Sequence, residues 1–371
     1  MPILVQKFKF HFGNVIQNNR VIFFYLFIYS FQGITLGDNS QNVIFKQLMR
    51  NFVMNISQYA RSINPNFIII PQNGVPIITN NGDLNATVQI NYLNAINAWG
   101  QEDLLYGYDS VDVPTTALKT STRKPYLDLA KSYNKTILIT DYCTTPSFVN
   151  NSYAQNFQWG YISLATTLDL SSISSYPVRP FNENSNNIST MNDAKNFLYL
   201  INPSSFSDTT SLLKKLMLTN YDVIILDAFR PDNIIFNSSQ INSLKVKSNG
   251  GKRLVVAYMS IGEAENYRYY WLPTWKIGNP SFIVSLNPDW PGDYKVQYWD
   301  PTWQSIIFGN NNSYTKKILN AGFDGAYLDI IDGYEYFESK FLLFKPVVFK
   351  SAFRTCTVLT ANTSSVYKIK P

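Results

Sequence analysis

The sequence predicts an α/β fold, specifically a (β/α)8 TIM barrel. Short apolar runs recur with room for a helix between them, several runs are apolar without alternation, and acidic or amide residues gather where the runs end. Continuous apolar runs mark parallel strands covered on both faces. A chain of 371 residues, 45% of them hydrophobic, has ample material for one large core.

In chain order, a helix is expected over 43–62, followed by strands at "FIIIPQNG" from Phe67 and "NAINAWGQED" from Asn94. A helix over 126–133 leads into "TILITDYC" from Thr136. The run "NFLYLINP" from Asn196 precedes a helix over 208–218, and "YDVIILDAF" from Tyr221 precedes a helix over 239–247. "RLVVAYMSIGE" from Arg253, "PSFIVSLN" from Pro280, a helix over 303–321 and "GFDGAYLDIID" from Gly322 complete the series. Eight runs alternating with helices favour a barrel over an open sheet. None is followed by a GxGxxG or Walker-type loop, which argues against nucleotide binding.

Composition narrows the chemistry. Charged residues make up 15% of the chain, the net charge is +6, and the basic residues form no cluster, so no nucleic-acid partner is expected. The 25 Tyr, 25 Phe and 7 Trp suit a large core and also a sugar-stacking cleft. A lone histidine, His11, lies outside the runs, which removes Ser-His-Asp, Cys-His and histidine–zinc sites. Cys143 and Cys356 lack CxxC spacing and support neither a metal cluster nor a disulfide framework. Catalysis would rest on carboxylates, tyrosines, lysines or a hard metal held by oxygen; no cofactor is expected.

Before the runs, "VIFFYLFIYSFQG" from Val21 follows Lys7, Lys9 and Arg20. This reads as a signal peptide over 1–37, with a retained N-terminal anchor as the alternative. A secreted or extracytoplasmic location follows, with a membrane partner only if the segment is retained. The tail over 339–371 is unassigned.

In a barrel the carboxyl ends of the strands share one mouth, where active sites sit. The runs end at Gln72 and Asn73, at Glu102 and Asp103, at Asp141, at Asp227, at Glu263 and Glu265, and at Asp329 and Asp332. Bland roles compete with chemical ones. Ser260 and Glu263 have capping-box spacing, Asp300-Pro301 reads as an N-cap with proline at N1, and Asp324 lies at the far end of its strand. Asp329 is best placed to face the mouth, and Asp332 either supports it or contacts ligand.

The segments "RLVVAYMSIGEAENYRYYW", "NPDWPGDYKVQYWDPTWQSII", "AGFDGAYLDIIDGYEYFE", "NPNFIIIPQNG" and "AWGQEDLLYGYD" together resemble glycoside hydrolase family 114, the endo-α-1,4-polygalactosaminidase-like barrels. The resemblance covers residues 43–170 and 194–338. It implies a secreted (β/α)8 hydrolase acting on galactosamine-rich polysaccharide. In the family the strand similar to "NFLYLIN" comes first and those similar to "FIIIPQNG", "WGQED" and "TILITDYC" come last. Here the order is reversed, which predicts a circularly permuted barrel over 43–338; two half barrels from a tandem array are the rival reading.

By the same resemblance the catalytic aspartate corresponds to Asp329, as nucleophile, and the catalytic glutamate to Glu102, as general acid/base of a retaining mechanism. Asn73, Asp141, Asp227, Tyr258, Glu263, Trp299 and Asp332 are candidates for substrate contact. Two convergent carboxylates independently meet the minimum for glycoside cleavage. A carbohydrate-binding protein without turnover is the alternative.

Overall fold

The computed structural model describes residues 41–230 and 233–340, with the side chains of 41–43 excepted. The expected signal segment, His11, Cys356 and nearly all of the 339–371 tail lie outside the described residues.

Helix α1 (Gln41–Ile63) buries Met49, Phe52, Val53, Ile56 and Ala60, a stripe spaced by three or four residues, and stops before Pro65. Strand β1 (Ile68–Pro71) follows and is buried throughout. After α2 (Ile90–Ala95), the chain alternates through β2 (Ala98–Glu102), α3 (Ala117–Ser132), β3 (Thr136–Tyr142), α4 (Pro146–Gln158) and β4 (Ile162–Thr166). It continues through β5 (Phe197–Leu200), α5 (Thr209–Met217), β6 (Val223–Asp227), α6 (Ser238–Leu244) and β7 (Leu254–Ser260). Three short strands then form a separate antiparallel sheet, ordered β8 (Glu263–Glu265), β10 (Asp293–Val296), β9 (Ile283–Leu286). Helices α7 (Pro301–Ile307) and α8 (Tyr314–Ala321) lead to β11 (Gly325–Asp329).

The parallel strands make two ladders, β1-β11-β7-β6-β5 and β2-β3-β4. Strand β1 pairs with β11, Ile68 opposite Gly325 and Pro71 opposite Leu328. The two ladders meet beside β1, where Gln72 bridges Gly100, the Asn97 amide donates to Ile69 O at 2.9 Å and the Asn73 amide donates to Gly100 O at 2.9 Å. At the other margin the Asn202 amide donates to Leu170 O at 3.2 Å, joining the segments that leave β5 and β4. One face of all eight parallel strands feeds a common cluster that includes Ile70, Leu138, Leu164, Val223, Val256 and Tyr327. Their other face packs under the helices with Trp99, Ile139, Leu226 and Met259. All described residues lie in one compact unit, and the largest core cluster draws on residues from Met49 to Tyr334.

Several expectations change. The run from Pro280 is β9 of the small antiparallel sheet, half exposed, and not a strand of the parallel set. The eighth parallel strand is β4, "ISLAT", whose buried Ser163 and Thr166 interrupt the apolar signal. The single helix expected over 303–321 is two, α7 and α8, separated at Gly309 in a left-handed conformation. Ser260 and Glu263 form no capping box, because Glu263 opens β8. Asp300 does cap α7, accepting from the Thr302 and Trp303 amides. Asp324 is tied to Lys245 at 2.6 Å and to the Val255 amide at 2.9 Å.

Candidate active site

The carboxyl ends of the parallel strands surround a cavity of about 540 Å³, closed on one side by the antiparallel sheet. It is lined by Asn73, Glu102, Asp227, Tyr258, Glu263, Asp329 and Asp332, seven of the nine residues singled out from sequence.

Glu102 ends β2. Its Oε2 accepts from Asn73 Nδ2 at 2.8 Å, and its Oε1 accepts the hydroxyl of Tyr142, the last residue of β3. Asp329 ends β11. Its Oδ2 accepts from Tyr258 Oη at 2.7 Å and its Oδ1 from the Ile330 amide at 2.7 Å. Burial pushes the Asp329 carboxyl well above the usual carboxylate range, and the nearby charge of Glu102 adds to this; the bonds from Tyr258 and Ile330 pull the other way. Beneath them, Tyr199 and Tyr327 pack with ring centroids 5.1 Å apart. Burial first, and then the carboxylates, hold these hydroxyls and that of Tyr258 protonated.

The other acidic residues behave differently from one another. Burial raises Asp332 to about 7, with Glu335, Glu102 and Glu263 adding to the shift. Asp227 is gripped by Arg268 Nη1 at 2.8 and 2.7 Å, and the same guanidinium binds Glu265 through Nε at 2.5 Å. Glu263 accepts from Asn287 Nδ2 at 3.1 Å and pairs with Lys295 at 3.0 Å. Asp293, also on the cavity wall, is raised to about 8 by burial and by Glu265 and Glu263. Half-exposed Trp290 and Tyr267 stand at the rim. Acidic groups outnumber Arg268 and Lys295 on this wall, so it attracts cations.

Two of the nine lie elsewhere. Asp141 is fully buried beside the cavity, accepting from the Leu105 and Tyr106 amides, Ser152 Oγ and Asn156 Nδ2. Residues alternate faces along β3, so with Tyr142 turned to the interior, Asp141 points out at α4. Trp299 packs against Phe45 and Phe337, with centroids 5.5 and 4.6 Å away, as part of the core. Sequence reasoning missed Tyr142, Tyr199, Arg268, Asn287, Asp293 and Lys295. For Tyr142 the period of two along β3 was an available signal, and for Arg268 the three-residue spacing from Glu265 was another.

Among the described residues, no group of three or more His, Cys, Asp or Glu side chains is placed to hold a metal ion. No described helix is long and apolar enough to cross a membrane. Cys143 is buried, which pushes its thiol up and away from reactivity.

Residues 183–348 match the family model of glycoside hydrolase family GH114, a stretch running from before β5 through β11. That stretch, under half of the chain, is similar to glycoside hydrolase family GH114. It contributes Asp227, Tyr258, Glu263, Asp329 and Asp332 to the cavity, while Asn73 and Glu102 come from outside it. The chain is also similar to three uncharacterized proteins. One from Methanocaldococcus jannaschii is 36% identical over 156 residues, 42% of this chain and 41% of that protein. One from Deinococcus radiodurans is 34% identical over 120 residues, 32% of this chain and 36% of that protein. One from Thermotoga maritima is 34% identical over 118 residues, 32% of this chain and 35% of that protein. The chain thus spans well under half the length of each of these relatives. GH114 is a family of TIM-barrel glycoside hydrolases, and the parallel α/β architecture around the GH114 stretch agrees with it.

Proposed function

We propose that the protein is a glycoside hydrolase that cleaves α-1,4-linked, galactosamine-containing polysaccharide with Glu102 and Asp329 as its catalytic pair. The observation that carries the reading is that these two carboxyls, from strands far apart in the chain, line one cavity, where the charge of Glu102 adds to burial in raising the proton affinity of Asp329. An acid and a nucleophile or base are what glycoside cleavage requires. The acidic wall and rim aromatics suit a polymer of cationic sugars.

The architecture that goes with this reading is one closed, circularly permuted (β/α)8 barrel. Its support is the β1–β11 pairing, the bridge at Gln72 and Gly100, the bond between the segments leaving β4 and β5, and the interior shared by all eight strands. Export through the N-terminal segment places the enzyme with an extracellular polymer.

In the mechanism the family resemblance implies, Glu102 protonates the glycosidic oxygen while the Asp329 carboxylate attacks the anomeric carbon; water assisted by Glu102 then releases the sugar. The pair's proton must sit on Glu102 at the moment of attack. The raised proton affinity of Asp329 favours a second assignment, in which Asp329 is the acid and Glu102 the nucleophile or base.

The test is incubation of the intact protein with polygalactosamine and measurement of new reducing ends, with Glu102→Gln and Asp329→Asn alongside. Turnover should fall at least about 100-fold in both variants. An aryl galactosaminide with a good leaving group separates the assignments, because only the variant lacking the general acid keeps substantial activity on it. Binding of polymer without product from the unaltered protein would instead mean a carbohydrate-binding protein.

A further inference from the structure

We infer that Asn73 is a positioning residue that fixes Glu102 and is not a contact for sugar; this rests on the pair assigned above. Asn73 lies two residues beyond β1 with φ 59°, a left-handed conformation that few non-glycine residues adopt. Held so, it turns both its backbone and its side chain onto β2. Its amide donates to Gly100 O at 2.9 Å, and its carbonyl accepts from Trp99 Nε1 at 3.1 Å. Its Oδ1 accepts from Gln101 Nε2 at 3.0 Å and from the Glu102 amide at 3.1 Å, which fills both lone pairs. Its Nδ2 donates to Glu102 Oε2 at 2.8 Å. One amide hydrogen is all that is left for a ligand.

The other oxygen of Glu102 is taken by Tyr142 from β3. The carboxylate is therefore pinned by a donor from each neighbouring strand, and its plane is fixed before substrate arrives. The same arrangement recurs at the partner carboxyl. Ile330, a β-branched residue with φ 60°, directs its amide onto Asp329 Oδ1. Left-handed non-glycine residues thus stand directly behind both carboxyls, at the site where backbone strain is most useful for holding a fixed geometry.

The experiment is Asn73→Gly in the full chain, because glycine accepts this backbone conformation and removes only the side chain. A fall of about 10-fold or more in kcat on polygalactosamine is expected for the protein that remains folded, with KM within twofold; the lost hydrogen bonds to Gln101 and Glu102 should lower the melting temperature as well. A second variant, Asn73→Asp, keeps the shape and replaces the donor with a carboxylate facing Glu102; it should lose at least as much kcat. A raised KM with kcat intact, or near-normal turnover in Asn73→Asp, would overturn the inference. If Asn73→Gly fails to fold, Asn73→Asp decides alone. Failure of the hydrolase reading is distinguishable, because then the unaltered protein and Glu102→Gln would be equally inactive.

Discussion

Tyr258 on β7 reaches across to β11 and donates its hydroxyl to Asp329 Oδ2 at 2.7 Å, while Ser260, two residues further along β7, is the lateral partner of Asp329 in the ladder. This donor is one of the interactions that hold the Asp329 proton affinity down against burial and Glu102. Tyr258→Phe should therefore raise it further. The limb of the pH–kcat/KM profile governed by Asp329 ionisation should move to higher pH, with kcat reduced at neutral pH. A profile that stays in place or moves down would contradict the assigned hydrogen bond.

Asp293 and Asp332 bind protons more tightly in the folded protein, at about 8 and about 7, than in an unfolded chain, where an aspartate titrates near 3.9. Between these limits the folded state carries the extra protons, so its stability is fully present near pH 4 and declines as pH rises toward 8. Asp293→Asn should flatten that decline. Melting temperatures should differ least near pH 4, and the variant should gain steadily toward pH 8, where the advantage should be at least on the order of 1 kcal/mol, roughly 2–4 °C.

Asp141 anchors the loop after β2 to α4, and its removal would take the acceptor from the Leu105 and Tyr106 amides, Ser152 Oγ and Asn156 Nδ2. Asp141→Ala should cost about 2–3 kcal/mol in urea unfolding. The KM of the protein that remains folded should not change. A raised KM without loss of stability would return Asp141 to the substrate shell.

Gly100 faces Tyr327 across the interior, and a Cβ placed there would collide with the phenol oxygen. Both partners are buried within the parallel strands, so neither has room to withdraw. Gly100→Ala should destabilise by about 1–3 kcal/mol and displace the end of β2 that carries Glu102. Circular dichroism melts together with kcat would record both effects.

Much of this was legible in the sequence because parallel strands buried on both faces are written as plain apolar runs, as in "IIIP" and "VIILD". What escaped notice had lost that signature. The strand β4 and the helix α4 carry small polar residues at buried positions. In α4, Ser152 and Asn156 are buried because Asp141 needs donors, so the apolar stripe that would mark the helix is broken. The run at Pro280 misled for the opposite reason, since an apolar stretch does not say which sheet it joins. Within the site, strand-end position located Glu102 and Asp329 but not the face. The outward turn of Asp141 follows from the inward turn of Tyr142, and that is decided by packing. The ties of Arg268 to Asp227 and Glu265 depend on a fold that brings residues 41 positions apart together.

The pairing of β1 with β11 also constrains how the protein is made. Ile68 and its partner Gly325 are separated by 257 residues, so β1 leaves the ribosome long before the strand that completes it. At about 5–20 residues per second, that edge waits roughly 13–50 s for β11. Loop closure over such a distance makes this a late, slow step of folding, and until then β1 presents an apolar edge able to pair with other chains. The proposed catalytic pair shares this timing: Glu102 is synthesised early and Asp329 late, so the cavity takes shape only when nearly all of the described chain is present. A chain truncated before Gly325 would accordingly have no partial activity and would be prone to aggregate.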